Sequence, residues 1–177
     1  MGQVVMVGMS EIRVVCGEGY ILTTLGLGSC IGICAYDAAA RVSGMAHVML
    51  PEGTNGVGED MPGKFANTAI PALVQEMRQQ GALLSQIQVA IAGGAQIFSF
   101  GGSSPRLDIG SRNIAAVLAT LKLHQLPLVA ADVGGNVGRT LYFFTVDGRV
   151  RVKTLGQGER DLVILGQSPP VRMSVAV

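Results

Sequence analysis

The chain has 177 residues, a net charge of +1, and 14% charged against 49% hydrophobic side chains. That balance excludes a disordered chain, which would be rich in charge and poor in apolar residues. It also lacks the basic excess that a nucleic-acid partner calls for. The length fits one compact domain, expected over residues 1–166, with 167–177 as a flexible tail.

In chain order, residues 11–16 and 20–24 read as short strands around the turn Gly17-Glu18-Gly19. Residues 31–36 and 41–49 read as two more apolar strands. The Gly- and Pro-rich stretch 51–63 reads as a surface loop. Residues 64–80 predict a helix, with Phe65, Ala69, Leu73 and Met77 along one apolar face. Pro71 is expected to kink that helix or delay its start, and Gly81 to stop it. A buried strand follows at 87–92, ended by Gly93-Gly94. A second helix is predicted at 111–125, with Ser111 as N-cap. Residues 128–131 predict a strand, and 139–146 with 149–154 a hairpin through Asp147-Gly148. This order predicts a mixed α/β sandwich, strands packed with two main helices, and not a regular alternating wound fold.

The mean hydropathy of +0.44 raises the question of a membrane. The uncharged stretches 19–36 and 79–105 are broken by Gly and polar residues, so neither is a continuous apolar helix. The N-terminus lacks the basic flank and cleavage site of a signal peptide. A cytoplasmic protein with no membrane insertion is the reading. Three cysteines, Cys16, Cys30 and Cys34, form no disulfide framework.

Conventional motifs fail. Gly26-Leu27-Gly28 opens like a dinucleotide loop, but Ile31 stands where the third glycine belongs. No phosphate loop and no Cys-x-x-Cys occurs, so no cofactor and no metal site is expected. What stands out is Thr24-Leu25-Gly26-Leu27-Gly28-Ser29-Cys30, followed by Met45-Ala46-His47-Val48-Met49-Leu50-Pro51. A strand runs into a Gly-x-Gly turn that delivers a cysteine to the next strand, and a histidine lies on a later one. A Cys–His pair is the minimal thiol nucleophile. Backbone N–H groups of the turn, at Gly28 and Ser29, can face a developing oxyanion. Spacing alone leaves a second reading open, with Cys30 a small buried apolar residue and His47 a satisfied core histidine. Cys16 and Cys34 are expected to be buried packing residues, His124 to sit at a helix C-terminus, and the methionines to fill the core. Gly93-Gly94 and Gly134-Gly135 are expected as tight turns near the rim of the site. Arg112 and Asn113 fit either a helix cap or a substrate contact.

Six blocks in order resemble the CheD family of chemoreceptor glutamine deamidases. They are the Thr24–Cys30 and Met45–Pro51 stretches, Gly63-Lys64-Phe65-Ala66-Asn67-Thr68-Ala69, Ile91-Ala92-Gly93-Gly94-Ala95, Ile109-Gly110-Ser111-Arg112-Asn113, and Asp132-Val133-Gly134-Gly135-Asn136. The resemblance implies a fold similar to the catalytic domain of deamidating bacterial toxins. It implies a catalytic Cys, His and Thr, which fall on Cys30, His47 and Thr24. It implies hydrolysis of specific glutamines on chemoreceptor cytoplasmic helices to glutamate. It also brings two alternatives: a regulatory module binding a CheC-type CheY-phosphate phosphatase, and a receptor methylesterase using the same Cys and His.

Overall fold

Two neighbouring strands that are apolar on both faces fix the centre of the fold. In the computed structural model, β4 (Ile31–Asp37) and β5 (Val42–Val48) are buried at every position. A strand covered on both sides reads as a continuous apolar run and does not alternate. The structure describes residues 2–53, 60–97, 108–167 and 172–176, the last as backbone. The middle of the predicted 51–63 loop, 54–59, lies outside them.

The other elements are β1 (Gln3–Met6), β2 (Ile12–Cys16), β3 (Tyr20–Leu27), α1 (Ala66–Gln79), β6 (Gln88–Gly93), α2 (Ile109–Leu123), β7 (Leu128–Gly134), β8 (Arg139–Phe144), β9 (Arg149–Thr154), β10 (Gly158–Ile164) and β11 (Arg172–Ala176). They make a six-stranded sheet, β11-β7-β6-β4-β5-β2, and a five-stranded sheet, β1-β3-β8-β9-β10. One core lies between the six-stranded sheet and the helices. It joins Ile31, Ile33, Val42 and Ala46 to Ile70, Leu73 and Met77 of α1 and to Val117 and Leu121 of α2. The other lies between the two sheets, where Cys34 and Met45 meet Leu22, Leu141, Phe143, Val150 and Val152. The mixed α/β sandwich is therefore borne out, as three layers.

Strands of the outer sheet alternate as half-buried strands should. Leu141 and Phe143 of β8, with Val150 and Val152 of β9, point inward. Arg151 pairs with Asp161 on the outer face at 2.7 Å. The predicted hairpin pairs Phe144 with Arg149.

Several boundaries differ from the sequence expectation. β2 and β3 flank their turn but do not pair: β2 joins β5, and β3 joins β1 and β8. α1 begins at Ala66, five positions before Pro71, so the proline does not delay it. α2 begins at Ile109, and Asp108, not Ser111, is its N-cap. Asp108 accepts from the Ser111 backbone N–H at 3.0 Å and from its hydroxyl at 2.6 Å. The stretch 167–177, expected as a tail, contributes β11, paired in parallel with β7. Among the described residues no helix is long and apolar enough to cross a membrane.

Candidate active site

The site begins at a bulge. β3 and β8 stay in register to Thr24–Leu141 and resume at Leu27–Arg139, so two residues of β3 oppose one of β8. Gly26 has φ +65°, the left-handed conformation that glycine adopts at least cost. The bulge lifts Leu25 into solvent and turns the chain through Gly28 and Ser29 to Cys30. The Gly28 carbonyl accepts from Ala95 N–H at 2.8 Å, and the Cys30 carbonyl from Gly94 N–H at 2.8 Å. The Gly93-Gly94 turn is thus part of the rim, as expected. The Gly134-Gly135 turn is too: Gly135 C=O accepts from Gln96 N–H at 2.9 Å. Buried Arg139 holds that turn, bonding Gly134 C=O at 2.8 Å and Asp132 at 3.0 Å.

His47 pairs across the sheet with Gly32. Cys30 lies two residues before Gly32, so it faces the same side and is the diagonal neighbour of His47. Gly32 puts no side chain between them. A Cβ there would stand 3.2 Å from Thr24 Cγ2 and 2.9 Å from Leu141 Cδ2. That missing methyl lets Thr24, on one sheet, reach His47, on the other.

Thr24 and His47 are both buried, and Thr24 Oγ1 lies 2.7 Å from His47 Nδ1. The same hydroxyl donates to the Val7 carbonyl at 2.7 Å. A carbonyl only accepts, so the hydroxyl's one proton goes to Val7 and its oxygen accepts from His47. The ring proton is therefore on Nδ1, which leaves a lone pair on Nε2. Nε2 is buried and has no hydrogen-bond partner among the described residues. Cys30 and His47 thus share a face but are not hydrogen-bonded to each other. Catalytic hydrogen bonds commonly tighten only when substrate is bound.

Burial pushes the Cys30 thiol up, and its own backbone N–H pulls weakly the other way. Burial holds the His47 imidazole below its usual range, against a smaller opposing pull from the Val7 carbonyl. The resting pair is therefore a neutral thiol and a neutral imidazole.

Cys30 opens onto a groove of about 350 Å³, walled by Gly28 and Ser29 on one side and Ala95, Gln96 and Gly110 on the other. His47 is not among the residues lining it and is only 2% exposed. The N-terminal residues of α2 close one end, and the positive end of a helix favours an anion there.

A family model described as CheD chemotactic sensory transduction matches residues 49–154. A probable chemoreceptor glutamine deamidase CheD of Symbiobacterium thermophilum is 45% identical over 157 residues, 88% of this chain and 95% of that protein. The chain belongs to the CheD family. A CheD relative from Desulfitobacterium hafniense is 44% identical over 160 residues, 90% of this chain and 99% of its own length. One from Clostridium novyi is 41% identical over 156 residues, 88% and 96% of the two chains.

Within this CheD chain the remaining candidates separate. Cys34 is fully buried between the sheets, where desolvation pushes its thiol far up. Cys16 was expected to be buried, but it is exposed at the end of the edge strand β2. His124 caps the C-terminus of α2, as expected. Met45 and Met77 fill the core, but Met6, Met9 and Met61 are about half exposed, at 49%, 65% and 51%. Arg112 is exposed, whereas Asn113 is buried against the Cys30 turn. The Val7 carbonyl was not anticipated. It follows a strand of four residues, and no side-chain chemistry marks it.

Proposed function

We propose that this CheD-family protein hydrolyses the side-chain amide of specific glutamines on chemoreceptor cytoplasmic helices, giving glutamate and ammonia. What supports the reading is one arrangement above all: a histidine whose tautomer is fixed by Thr24 and Val7, with its free lone pair on the face that carries Cys30. The groove leads to Cys30 between Gly28, Ser29 and Ala95, with Ile97 and Ile109 adding apolar wall, which suits the methylene stem and amide end of a glutamine side chain. The relatives' names carry the chemoreceptor substrate.

In this mechanism the Cys30 thiol gives its proton to His47 Nε2 as its sulfur attacks the amide carbon. The Ser29 backbone N–H receives the oxyanion, since the Gly28 N–H is held by the Gly26 carbonyl at 3.0 Å; such a donor is typically worth roughly 2.7–4 kcal/mol. The imidazolium returns the proton to the departing nitrogen, and ammonia leaves behind a thioester on Cys30. His47, again neutral, takes a proton from water, which attacks the thioester and frees glutamate and the thiol. Receptor cytoplasmic helices as substrate place the reaction in the cytoplasm.

The direct test incubates the protein with a purified receptor cytoplasmic fragment and maps the peptides by mass spectrometry. Glutamine sites should become glutamate. Loss of methylene from glutamate methyl esters, with glutamines untouched, would turn the reading to a methylesterase.

Two further results are expected. Thr24→Val keeps the shape but removes the hydroxyl, leaving the His47 ring without its anchor. Turnover should fall about 10–100-fold, as when the partner that orients a histidine is lost. Thr24→Ser should retain most of it, and equal activity in all three proteins would remove the hydroxyl from the mechanism. The second concerns pH. A lowered His47 pKa keeps the base deprotonated where an exposed histidine would already be charged. On lowering the pH, kcat/KM should hold through about 6.5 and decline only below it. An acid limb centred above that value would show that another group supplies the base.

A further inference from the structure

The β4–β5 ladder stops at Ile31–Val48, one step short of Cys30. Beyond it the two strands part. The Cys30 carbonyl turns to Gly94 on the β6 side, and Met49 N–H turns to Lys64. The ladder therefore holds His47 but ends beside Cys30, and past the Ile31–Val48 pair no strand pairing joins the Ser29–Cys30 segment to the Met49 segment.

One side chain spans the gap. Asn113 of α2, fully buried, donates from Nδ2 to the Ser29 carbonyl at 2.8 Å and to the Met49 carbonyl at 2.9 Å. Ser29 immediately precedes Cys30, and Met49 follows His47 by two residues. Two carbonyl acceptors also fix the amide's orientation, since only the nitrogen can donate to both. Its oxygen, buried as well, has no partner among the described residues. An apolar residue would fill that helix position without burying an unsatisfied oxygen. What the asparagine gives in return is the pair of bonds.

We propose that Asn113 is a positioning residue of the site: it sets the separation between Cys30 and His47 Nε2 by tying together the two backbone segments that carry them. The helix bearing it is itself fixed against the turn beside Cys30. A Cβ on Gly110 would stand 2.5 Å from the Gly94 carbonyl oxygen, so α2 sits directly on the Gly93-Gly94 turn. Because no hydrogen bond yet joins Cys30 to His47, a small change in that separation decides whether the thiol proton can pass.

The inference rests on the deamidase reading, and its test is chosen to fail separately from it. Asn113→Ala and Asn113→Asp are compared with wild type and with Val117→Ala, which loosens the same helix without touching Ser29 or Met49. Both Asn113 variants should lose between about tenfold and 10²-fold in kcat on the receptor fragment, with KM within about threefold, as expected for lost alignment and not lost binding. Val117→Ala should keep kcat. In parallel, the rate of Cys30 alkylation by iodoacetamide is followed against pH by peptide-resolved mass spectrometry. At neutral pH, where the thiol is protonated and reacts as His47 takes its proton, the Asn113 variants should react more slowly, while the limiting rate at high pH stays the same, so the profile moves to higher pH. Should the Asp variant not fold, Asn113→Ala decides alone. Wild-type kcat and an unshifted alkylation profile would overturn the proposal, and so would an equal loss in Val117→Ala. If wild type itself deamidates nothing, the functional reading fails, while the alkylation profile still tests Asn113.

Discussion

Cys30→Ala is expected to end deamidation and leave the fold standing. Without the sulfur there is no nucleophile to form the thioester, and His47 has no proton to move. Removing the nucleophile of such a unit costs on the order of 10⁶ in kcat, which puts the variant below detection. Stability should barely change. Cys30 is half-buried, before the first residue of β4, and it only borders the inter-sheet core. Its sulfur accounts for less than about 1 kcal/mol of packing. The thermal midpoint of the variant should therefore match wild type, while ammonia release and glutamine-to-glutamate conversion vanish. Binding to the receptor fragment should persist, because only the sulfur is removed from the groove's lining. Activity retained in the variant would exclude the thiol as nucleophile. A chemotactic role that survives the substitution intact would favour a binding module, of the CheC-partner kind, over an enzyme.

Where the sequence was informative, a short contiguous stretch carried the information. Thr24 to Cys30 is seven residues of one chain, and its Gly-x-Gly turn has a local cause, the bulge at Gly26. The central strands were legible because burial on both faces leaves an unbroken apolar run. The outer elements were less so. β10 begins Gly-Glu-Arg-Asp, four exposed residues, of which Glu159 and Asp161 pair with Arg151 of β9 and Arg160 with Asp132 of β7, so its apolar signal is confined to the last residues. β1 is only four residues long and joins its sheet in parallel at an edge. The α2 cap was misplaced because Ser111 and Asp108 are both good capping residues. The carboxylate takes the cap, and the serine hydroxyl becomes its donor. Asn113 and the Val7 carbonyl act across 84 and 17 residues of sequence, and only the tertiary fold brings them to their partners. The pairing of Thr24 with His47 has the same origin. The family resemblance implied that the two act together, but the contact crosses from one sheet to the other and depends on Gly32 lacking a side chain.

Gly93→Ala should damage both stability and turnover, for two separable reasons. Gly93 ends β6 with φ +118°, a conformation that L side chains rarely adopt. A Cβ built there would also stand 2.1 Å from the Cys30 carbonyl oxygen. That oxygen is backbone, and it already accepts from Gly94 N–H, so no side-chain rotation relieves the collision. Strain of this kind typically costs about 1–3 kcal/mol, and the displaced backbone adds to it, so a loss of about 2–4 kcal/mol is expected on urea denaturation. The displaced segment is the one carrying the nucleophile. A shift of about 1 Å there should lower kcat about 10²-fold in the molecules that remain folded. Gly81→Ala separates the two causes. Gly81 has φ +102° at the end of α1, and a Cβ there would meet nothing within 4 Å. It should lose stability through backbone strain alone and keep wild-type kcat. If Gly93→Ala behaved like Gly81→Ala, with turnover per folded molecule unchanged, the Cys30 carbonyl would have to be free to move without carrying the thiol out of line. That would contradict the tight anchoring of this turn by Gly94, Ala95 and Asn113.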